Sequence, residues 1–401
     1  MKILVLNCGS SSLKYQVFNM DGETVLANGK VERIGMEDAI LTHEPTGKQK
    51  VKKVSEIYEH KTAIKSVLET LIDKSDGVLA DYSEIQAVGH RVVHGGESFS
   101  DSVLITPEVE DAIRKCIDLA PLHNPANLLG IDAVKEVMPT TPQVAVFDTA
   151  FHQTMDKKTF LYPIPMEQYK KYKIRRYGFH GTSHKYVAEK ALDVLNLSAN
   201  GSKIVSCHIG NGGSVTAIKD GKSVDTSMGM TPLEGLMMGT RSGDIDPAAV
   251  LYIMNKEELT LQEINSMLNK HSGLIGISGI SSDMREIEDG LLANNESATL
   301  AFNMYEYRIR KYIGAYAAAM NGLDVLIFTA GVGENSPILR KQICDNLSYL
   351  GVELDNEKND VFAKHDRVIS SENSRVKVLV IPTNEELMIA RDTQNIIGNQ
   401  T

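Results

Sequence analysis

The 401-residue sequence predicts an α/β protein built from two duplicated domains. Residues 2–25 and 203–225 show the same order of features: an apolar strand, a small-residue turn, a second strand, an Asp-Gly turn and a third strand. Further apolar strands, at 85–88, 142–147 and 324–328, alternate with helical patterns. Together these observations favour two related halves, each with its own sheet.

The first strand leads into a small, hydroxyl-rich turn. Four apolar residues, 3–6, precede Asn7-Cys8-Gly9-Ser10-Ser11-Ser12, and Lys14 follows where the next strand begins. Such a turn offers N–H and O–H donors to an anion, and the lysine adds a cation, so one interpretation is a phosphate-holding turn. The alternative is an ordinary hairpin turn beside a lysine, and this stretch alone leaves both open.

The repeat makes the phosphate interpretation stronger. Gly9 corresponds to Gly210, and the hairpin signal Asp21-Gly22 corresponds to Asp220-Gly221. Two glycine-containing turns half a chain apart suit a nucleotide held in a cleft between two related halves.

Composition limits the class of protein. A net charge of −10 argues against general nucleic-acid binding. The four cysteines are far apart and form no Cys-x-x-Cys, which favours a reducing compartment over a zinc site or a disulfide framework. No apolar run approaches the length of a membrane span, and no signal peptide is evident. We therefore expect a cytoplasmic protein.

The first half contains a predicted helix at 54–72 and two places where polar groups follow strands. Strand 85–88 is followed by a glycine-flanked loop, 89–96, in which Arg91 is able to clamp a carboxylate or phosphate. Strand 142–147 is followed by Asp148, at the carboxyl end where ligand groups collect in α/β sheets. A surface arginine and a capping aspartate are the alternatives.

The second half offers three more sites. His180 precedes a helix and is a candidate phosphate contact, although a lone histidine is usually structural. A long glycine-rich loop, 228–247, carries Arg241. Strand 324–328 leads through a glycine-rich turn, 329–337, into a helix, a nucleotide-binding arrangement that lacks the third glycine of a dinucleotide fingerprint. Thr383 with Glu386 predicts a capping box for the last helix.

Taken together, these residues resemble the acetate kinase family. Residues 3–14 match its signature Asn-x-Gly-Ser-Ser-Ser-x-Lys after an apolar strand, and residues 89–96 match Gly-His-Arg-x-Val-His-Gly-Gly. The resemblance covers the whole chain. It implies two RNase-H-like domains of the actin-like ATPase fold around a nucleotide cleft. The expected domains are 1–150, completed by helix 385–401, and 151–384. It also implies a homodimer.

The resemblance further implies reversible phosphoryl transfer from ATP to acetate, giving ADP and acetyl phosphate, with Mg²⁺ or alternatively Mn²⁺. It assigns catalysis and phosphoryl stabilisation to Arg91, Asp148, His180 and Arg241, and the metal to Asn7 and Glu385. Lys14 lies near the nucleotide phosphates. The remaining nucleotide contacts that it implies are His208, Ile209, Gly210, Asn211, Gly212, Asp283, Met284, Arg285, Gly331, Val332, Gly333, Glu334 and Asn335.

The family assigns an acid role to Asp148, but acetate is already ionised at pH 7 and needs no general base. We therefore expect Asp148 mainly to orient Arg91 or a magnesium-bound water. Arg91 also contacts the substrate, and Val93, Leu122 and Pro232 match the positions that shape the family's methyl pocket. A valine at 93 indicates a small pocket that favours acetate.

Two alternatives remain at this stage. The first is a kinase for propionate or butyrate, because those relatives share the motifs. The second is a nucleotide-driven switch protein of the actin or Hsp70 type, which has no need for two arginines in glycine-flanked loops beside an apolar pocket. The expected ligands are the nucleotide and a small acid, with no nucleic acid and no membrane.

Overall fold

The computed structural model describes residues 1–121 and 123–398. The chain forms two compact units: unit 1 contains residues 1–153 together with the segment from 384 onward, and unit 2 contains Thr154–Thr383. Each unit has its own sheet and its own apolar core.

Unit 1 is built on an eight-stranded sheet. Its strands are β1 Lys2–Cys8, β2 Ser12–Asn19, β3 Thr24–Glu32, β4 Met36–Pro45, β5 Val51–Ile57, β6 Ile85–Val92, β7 Val103–Leu104 and β8 Gln143–Phe147. Its first three helices are α1 His60–Leu71, α2 Pro107–Lys115 and α3 Asn124–Val137. The sheet order is β5-β4-β3-β2-β1-β6-β8-β7. Strands β1, β6 and β8 run parallel, whereas the other neighbours pair antiparallel.

Unit 2 is built on a six-stranded sheet. Its strands are β9 Lys203–Ile209, β10 Gly213–Lys219, β11 Lys222–Thr226, β12 Val325–Thr329, β13 Arg367–Val368 and β14 Lys377–Val380. Its helices are α4 Lys157–Phe160, α5 Met166–Tyr172, α6 Gly181–Leu195, α7 Pro247–Lys256, α8 Leu261–Lys270, α9 Gly273–Ser278, α10 Met284–Leu292, α11 Glu296–Met320, α12 Ala330–Asn335, α13 Pro337–Asp345 and α14 Asn356–Asp360. The last helix, α15 Glu385–Gly398, returns the chain to unit 1.

The two sheets share one topology. The order β3-β2-β1-β6-β8-β7 in unit 1 corresponds strand for strand to β11-β10-β9-β12-β14-β13 in unit 2. In both, an antiparallel meander of three strands continues into two parallel strands and ends on a short antiparallel one. The predicted repeat is therefore a repeat of structure, and β4 and β5 are additions to unit 1.

The hairpin turns explain why this repeat is visible in the sequence. Gly9 N–H donates to the Ser12 carbonyl at 2.8 Å, and Gly210 N–H donates to the Gly212 carbonyl at 2.9 Å. Asp220 and Gly221 both have positive φ, at 54° and 74°, which is the geometry that favours Asp-Gly in a two-residue hairpin. The turn residues thus fix the register of the strands on either side.

Helix α15 packs on the parallel strands of unit 1. A Cβ at Gly89 of β6 would lie 2.5 Å from Thr393 Oγ1 and 2.7 Å from Ile389 Cγ2, so a glycine is needed for the close approach of helix and strand. This packing brings the start of α15, with Glu385, to the edge of the sheet where β1 and β6 end.

Three local predictions are wrong. The predicted glycine-rich turn 329–337 is largely helical, because α12 Ala330–Asn335 begins directly after β12. Residues 54–72 are not one helix, because β5 continues to Ile57 and α1 begins at His60. The predicted capping box at 383–386 is also absent: Asn384 Oδ1 accepts from Leu387 N–H at 3.0 Å, whereas Thr383 Oγ1 bonds the Ser183 hydroxyl at 2.7 Å. Pairing with the preceding strand β4 overrides the helical pattern at the start of 54–72, and the Ser183 hydroxyl, distant in sequence, takes the Thr383 side chain.

Candidate active site

The parallel strands of unit 1 bring three predicted site residues together. Asn7 lies on β1, Arg91 on β6, and Asp148 directly after β8. The three strands are adjacent and parallel, so their carboxyl ends meet at one edge of the sheet. The Asp148 N–H donates to the Val92 carbonyl at 3.0 Å and holds the aspartate at that edge.

Arg91 and Asp148 form a two-point ion pair. Arg91 Nε donates to Asp148 Oδ1 at 3.0 Å, and Nη2 donates to Oδ2 at 2.6 Å. The Asp148 side chain is only 2% exposed, whereas that of Arg91 is 25% exposed. Asp148, helped by Glu385 and Glu386, outweighs burial and raises the pKa of Arg91, so the guanidinium stays charged. The remaining nitrogen, Nη1, donates to Asn7 Oδ1 at 3.4 Å.

Glu385 lies close to Asn7 and Arg91. All three line one small cavity, which also includes Lys14 and Glu386. Burial raises the pKa of Glu385 to about 7, while Arg91 lowers it and Asp148 raises it. Lys14 is exposed on β2 and faces Asn7 across the hairpin register.

Buried polar side chains hold the loops at this edge. Asn127 of α3 donates to the Cys8 carbonyl at 3.0 Å and accepts from Val93 N–H at 3.1 Å. It therefore links the turn after β1 to the segment after β6. The sequence analysis did not single out Asn127. The feature that could have marked it is an asparagine within an otherwise apolar stretch of a predicted helix. Val93 is 5% exposed, and Leu122 lies outside the described residues.

In unit 2, three histidines form a network with serines. His180 Nδ1 lies 2.9 Å from Ser214 Oγ, and its ring stacks on His208 with centroids 4.1 Å apart. His208 Nδ1 lies 2.8 Å from Ser183 Oγ, and His184 bridges Ser206 and Ser214. His180 has φ 58°, a strained value for a residue other than glycine, so the surrounding contacts fix its position.

Arg241 lies beside the glycine turn of unit 2. A Cβ at Gly212 would lie 3.5 Å from Arg241 Nη1, and Nη1 also donates to the Pro232 carbonyl at 3.0 Å. Among the residues that the structure describes, no carboxylate pairs with this guanidinium. Burial lowers the pKa of Arg241, as expected for a cation without a counter-charge. The side chain therefore offers an unneutralised charge next to the turn.

Three segments of unit 2, two of them glycine-containing, line one large pocket of about 800 Å³, the size of a small-ligand site. Its walls include residues from each predicted segment, namely Gly210, Asn211, Asp283, Met284, Arg285, Gly331, Val332 and Asn335. Asp283 caps α10 and pairs with Arg285 at 2.5 Å, and these hydrogen bonds lower the pKa of Asp283 to about 2.

Not every predicted residue faces this pocket. His208, Ile209, Gly212, Gly333 and Glu334 are absent from its wall. Glu334 turns away and accepts from Thr383 N–H at 3.2 Å. Conversely, the pocket contains residues that the sequence analysis did not single out, among them Glu288 and Phe362. Phe362 is 74% exposed, and no sequence motif marks it because it arrives from a loop distant in sequence.

Comparisons with known proteins show what the whole chain is similar to. The crystal structure of the acetate kinase of Porphyromonas gingivalis has a TM-score of 0.96 and 50% identity, over 99% of each chain. A propionate kinase from Francisella tularensis has a TM-score of 0.91 and 44% identity, over 98% of this chain and 99% of that one. A protein of Carboxydothermus hydrogenoformans named acetate kinase is 57% identical over 400 residues, all of both chains.

The fold and the glycine-lined pocket define a kinase with the actin-like ATPase fold, and this confirms the predicted fold class. The acetokinase family model matches residues 2–391. The chain belongs to the acetokinase family, whose members transfer phosphate between ATP and a carboxylate. The resemblance seen in the sequence is therefore confirmed.

Phe362 provides a test of the pocket. An exposed aromatic ring at the rim of a pocket is able to stack on a nucleotide base that enters it, and such contacts contribute about 0.5–1.5 kcal/mol. We expect Phe362→Ala to weaken ADP binding about fivefold, measured by calorimetry, and Phe362→Tyr to bind normally.

Tyr349→Ala serves as the matched control, because Tyr349 is a 70% exposed aromatic of the same unit that does not line the pocket. Equal ADP affinity in Phe362→Ala and Tyr349→Ala would exclude Phe362 from base binding.

Proposed function

We propose that this enzyme catalyses reversible phosphoryl transfer between ATP and acetate, giving ADP and acetyl phosphate. Membership of the acetokinase family supports the reaction. The Arg91–Asp148 pair supports a carboxylate as the phosphoryl acceptor. A guanidinium with two nitrogens fixed by a buried carboxylate holds its third nitrogen in a defined direction, and this nitrogen, at 3.4 Å from Asn7 Oδ1, keeps a second N–H for a small carboxylate. The carboxylate of acetate is already charged at neutral pH and needs no base.

The proposed roles of the individual residues follow from the chemistry of phosphoryl transfer. This reaction depends on in-line positioning and on neutralising charge on the phosphoryl oxygens. Arg91 binds the acid or acyl phosphate, while His180 and Arg241 stabilise the transferring group. The pocket of unit 2 holds the nucleotide. Lys14 provides positive charge for the nucleotide phosphates. Asp148 acts through Arg91 as a positioning residue, because both its oxygens accept from that side chain and it is 2% exposed.

The oxygen donors of unit 1 fit a hydrated Mg²⁺. Asn7 offers an amide oxygen and Glu385 a carboxylate, and both line the same cavity. Within residues 1–121 and 123–398, no cluster of three or more His, Cys, Asp or Glu could hold a metal. This suits Mg²⁺, which keeps several waters and uses one or two carboxylates together with substrate phosphates. When bound, the ion would neutralise phosphate charge; Mn²⁺ is the alternative ion.

Three further parts of the proposal concern organisation. We infer that the two units are the two actin-like domains, with helix α15 completing the first. We infer a homodimer. Helix α7 supports it, because none of the residues of this helix is buried and its apolar side chains Leu251 and Tyr252 are 67% and 64% exposed.

We place the enzyme in the cytoplasm, because its four cysteines are all unpaired. No helix among the described residues has the length and apolarity of a membrane span.

The substrate is tested by trapping the acyl phosphate as a hydroxamate. Purified protein with ATP and Mg²⁺ is supplied with acetate, propionate or butyrate in parallel. We expect the fastest product from acetate and slower product from propionate, since one methylene in an apolar pocket is worth only about 1–3 kcal/mol. Preference for propionate or butyrate would reject acetate while keeping the reaction class, an outcome that the similarity to a propionate kinase makes worth testing.

Val93 is the residue proposed to limit the acid's size. Val93→Ala removes two methyl groups from a buried position, so propionate should gain about tenfold in kcat/KM relative to acetate. Val92→Ala removes the same groups one residue earlier, where the side chain belongs to the apolar core, and should leave the ratio unchanged. An unchanged ratio in Val93→Ala would count against this pocket.

The role of Asp148 is tested by Asp148→Asn. An amide cannot accept both Arg91 hydrogen bonds, so Arg91 loses its orientation and we expect kcat to fall at least about 100-fold. Because no proton is transferred, the loss should be the same from pH 6.5 to pH 9. Near wild-type activity would refute the positioning role, and recovery at high pH would indicate proton transfer instead.

Glu23→Gln is the control for Asp148→Asn. Glu23 makes a comparable two-point pair with Arg391, at 2.6 and 2.7 Å, elsewhere in unit 1. Its loss should leave kcat within about twofold of wild type.

A further inference from the structure

Arg176 is a half-buried arginine of unit 2 that binds several groups at once. Its Nη1 donates to three consecutive carbonyls, those of Thr226, Ser227 and Met228, at 2.9 to 3.0 Å. Its Nη2 donates to Glu234 Oε1 at 2.5 Å. The side chains of Arg176 and Glu234 are 16% and 30% exposed, so the pair is largely removed from solvent. A partly buried pair with this many bonds restricts both chain segments that it joins.

One of the segments leads to His180. Arg176 is four residues before His180, and the N–H groups of Tyr177 and Gly178 both donate to the Gly229 carbonyl at 3.1 Å. The backbone entering His180 is therefore tied to the loop after β11. His180 itself bonds Ser214 on β10.

The other segment leads to Arg241. Glu234 lies two residues after Pro232, whose carbonyl accepts from Arg241. From Gly235 the loop closes on itself, because Gly235 N–H donates to Asp244 Oδ1 at 2.8 Å and Asp244 N–H donates to the Gly235 carbonyl at 2.9 Å. Arg241 lies inside this closed loop, so the position of the loop sets that of its arginine.

A third group fixes Glu234 from the other side. The Tyr162 hydroxyl donates to Glu234 Oε2 and accepts from Met230 N–H at 2.9 Å. A Cβ at Gly229 would overlap Glu234 Oε2 and the Tyr162 hydroxyl, so only glycine leaves room for this arrangement. Each oxygen of the Glu234 carboxylate thus has its own partner.

We propose that the Arg176–Glu234 ion pair is a positioning device that sets His180 and Arg241 relative to one another, so that both reach the same phosphoryl group. Neither Arg176 nor Glu234 contacts the substrate in this assignment. The inference rests on the proposed phosphoryl transfer, in which those two side chains stabilise the transferring group. Their separation must be held closely, because a misplacement of about 1 Å costs on the order of 100-fold in rate.

The test is Glu234→Gln, which removes the counter-charge while keeping the size of the side chain. We expect kcat for hydroxamate formation to fall about 10- to 100-fold, with ADP affinity within about twofold of wild type, because the pair is absent from the pocket wall. Arg176→Lys should lose a similar factor, since an ammonium keeps the charge but cannot reach three carbonyls and a carboxylate together. The double variant should lose no more than the worse single variant.

The matched control is Glu306→Gln. Glu306 is 4% exposed and pairs with Arg310 on α11 at 2.7 Å, so its loss removes a similarly buried pair of the same unit. It should lower the melting temperature comparably and leave kcat within about twofold. Tyr162→Phe is the milder variant if Glu234→Gln does not fold, and a three- to tenfold loss of kcat is expected for it.

The outcomes separate the two proposals. Wild-type protein that forms no acyl phosphate rejects the proposed function itself. Active wild type with unchanged kcat in Glu234→Gln and Tyr162→Phe overturns the positioning role. A loss of ADP affinity as large as the loss of kcat, or an equal loss in Glu306→Gln, also overturns it, because the effect would then be general destabilisation.

Discussion

The order of the strands is the constraint on which the functional groups depend. In each sheet an antiparallel hairpin adjoins parallel strands, so the hairpin turn and the carboxyl ends of the parallel strands lie at one edge. In unit 1 this edge carries Asn7, Arg91 and Asp148. In unit 2 it carries the turn after β9, with Gly210, and the start of α12 after β12, where a Cβ at Gly210 would lie 3.9 Å from Ala330 Cβ. The two units thus present different chemistry from the same place in the same topology.

Buried side chains then hold the irregular segments at these edges. Loop carbonyls without regular partners need donors, and a single guanidinium is able to satisfy several of them. Arg340 is 1% exposed and donates to the carbonyls of Gly333 and Glu334 in the last turn of the short helix α12, and burial lowers its pKa to about 10. Arg176 does the same for the loop after β11. Rigid loops follow from these contacts, and phosphoryl transfer depends on positioning.

The sequence predicted the fold class, the repeat and the strand ends, because hairpin turns and apolar strands are local signals. It failed where strand pairing or folding, rather than local composition, decides the structure. The helix predicted at 54–72 proved to be part strand because β5 pairs with β4, and the cap of α15 proved to be Asn384. Phe362 and Asn127 were missed because only folding brings a distant loop to the pocket, or an amide to two strand ends. The roles of the individual site residues remain predictions.

The central claim is that ATP cleavage here is coupled to an acid acceptor held by Arg91. The most direct measurement is phosphorus NMR of purified wild-type protein with ATP, Mg²⁺ and acetate. The account predicts that ADP and acetyl phosphate appear in equal amounts, and that both disappear when Arg91 is replaced by leucine. Release of ADP and inorganic phosphate without acetyl phosphate, whether or not acetate is present, would contradict it and favour a nucleotide-driven switch.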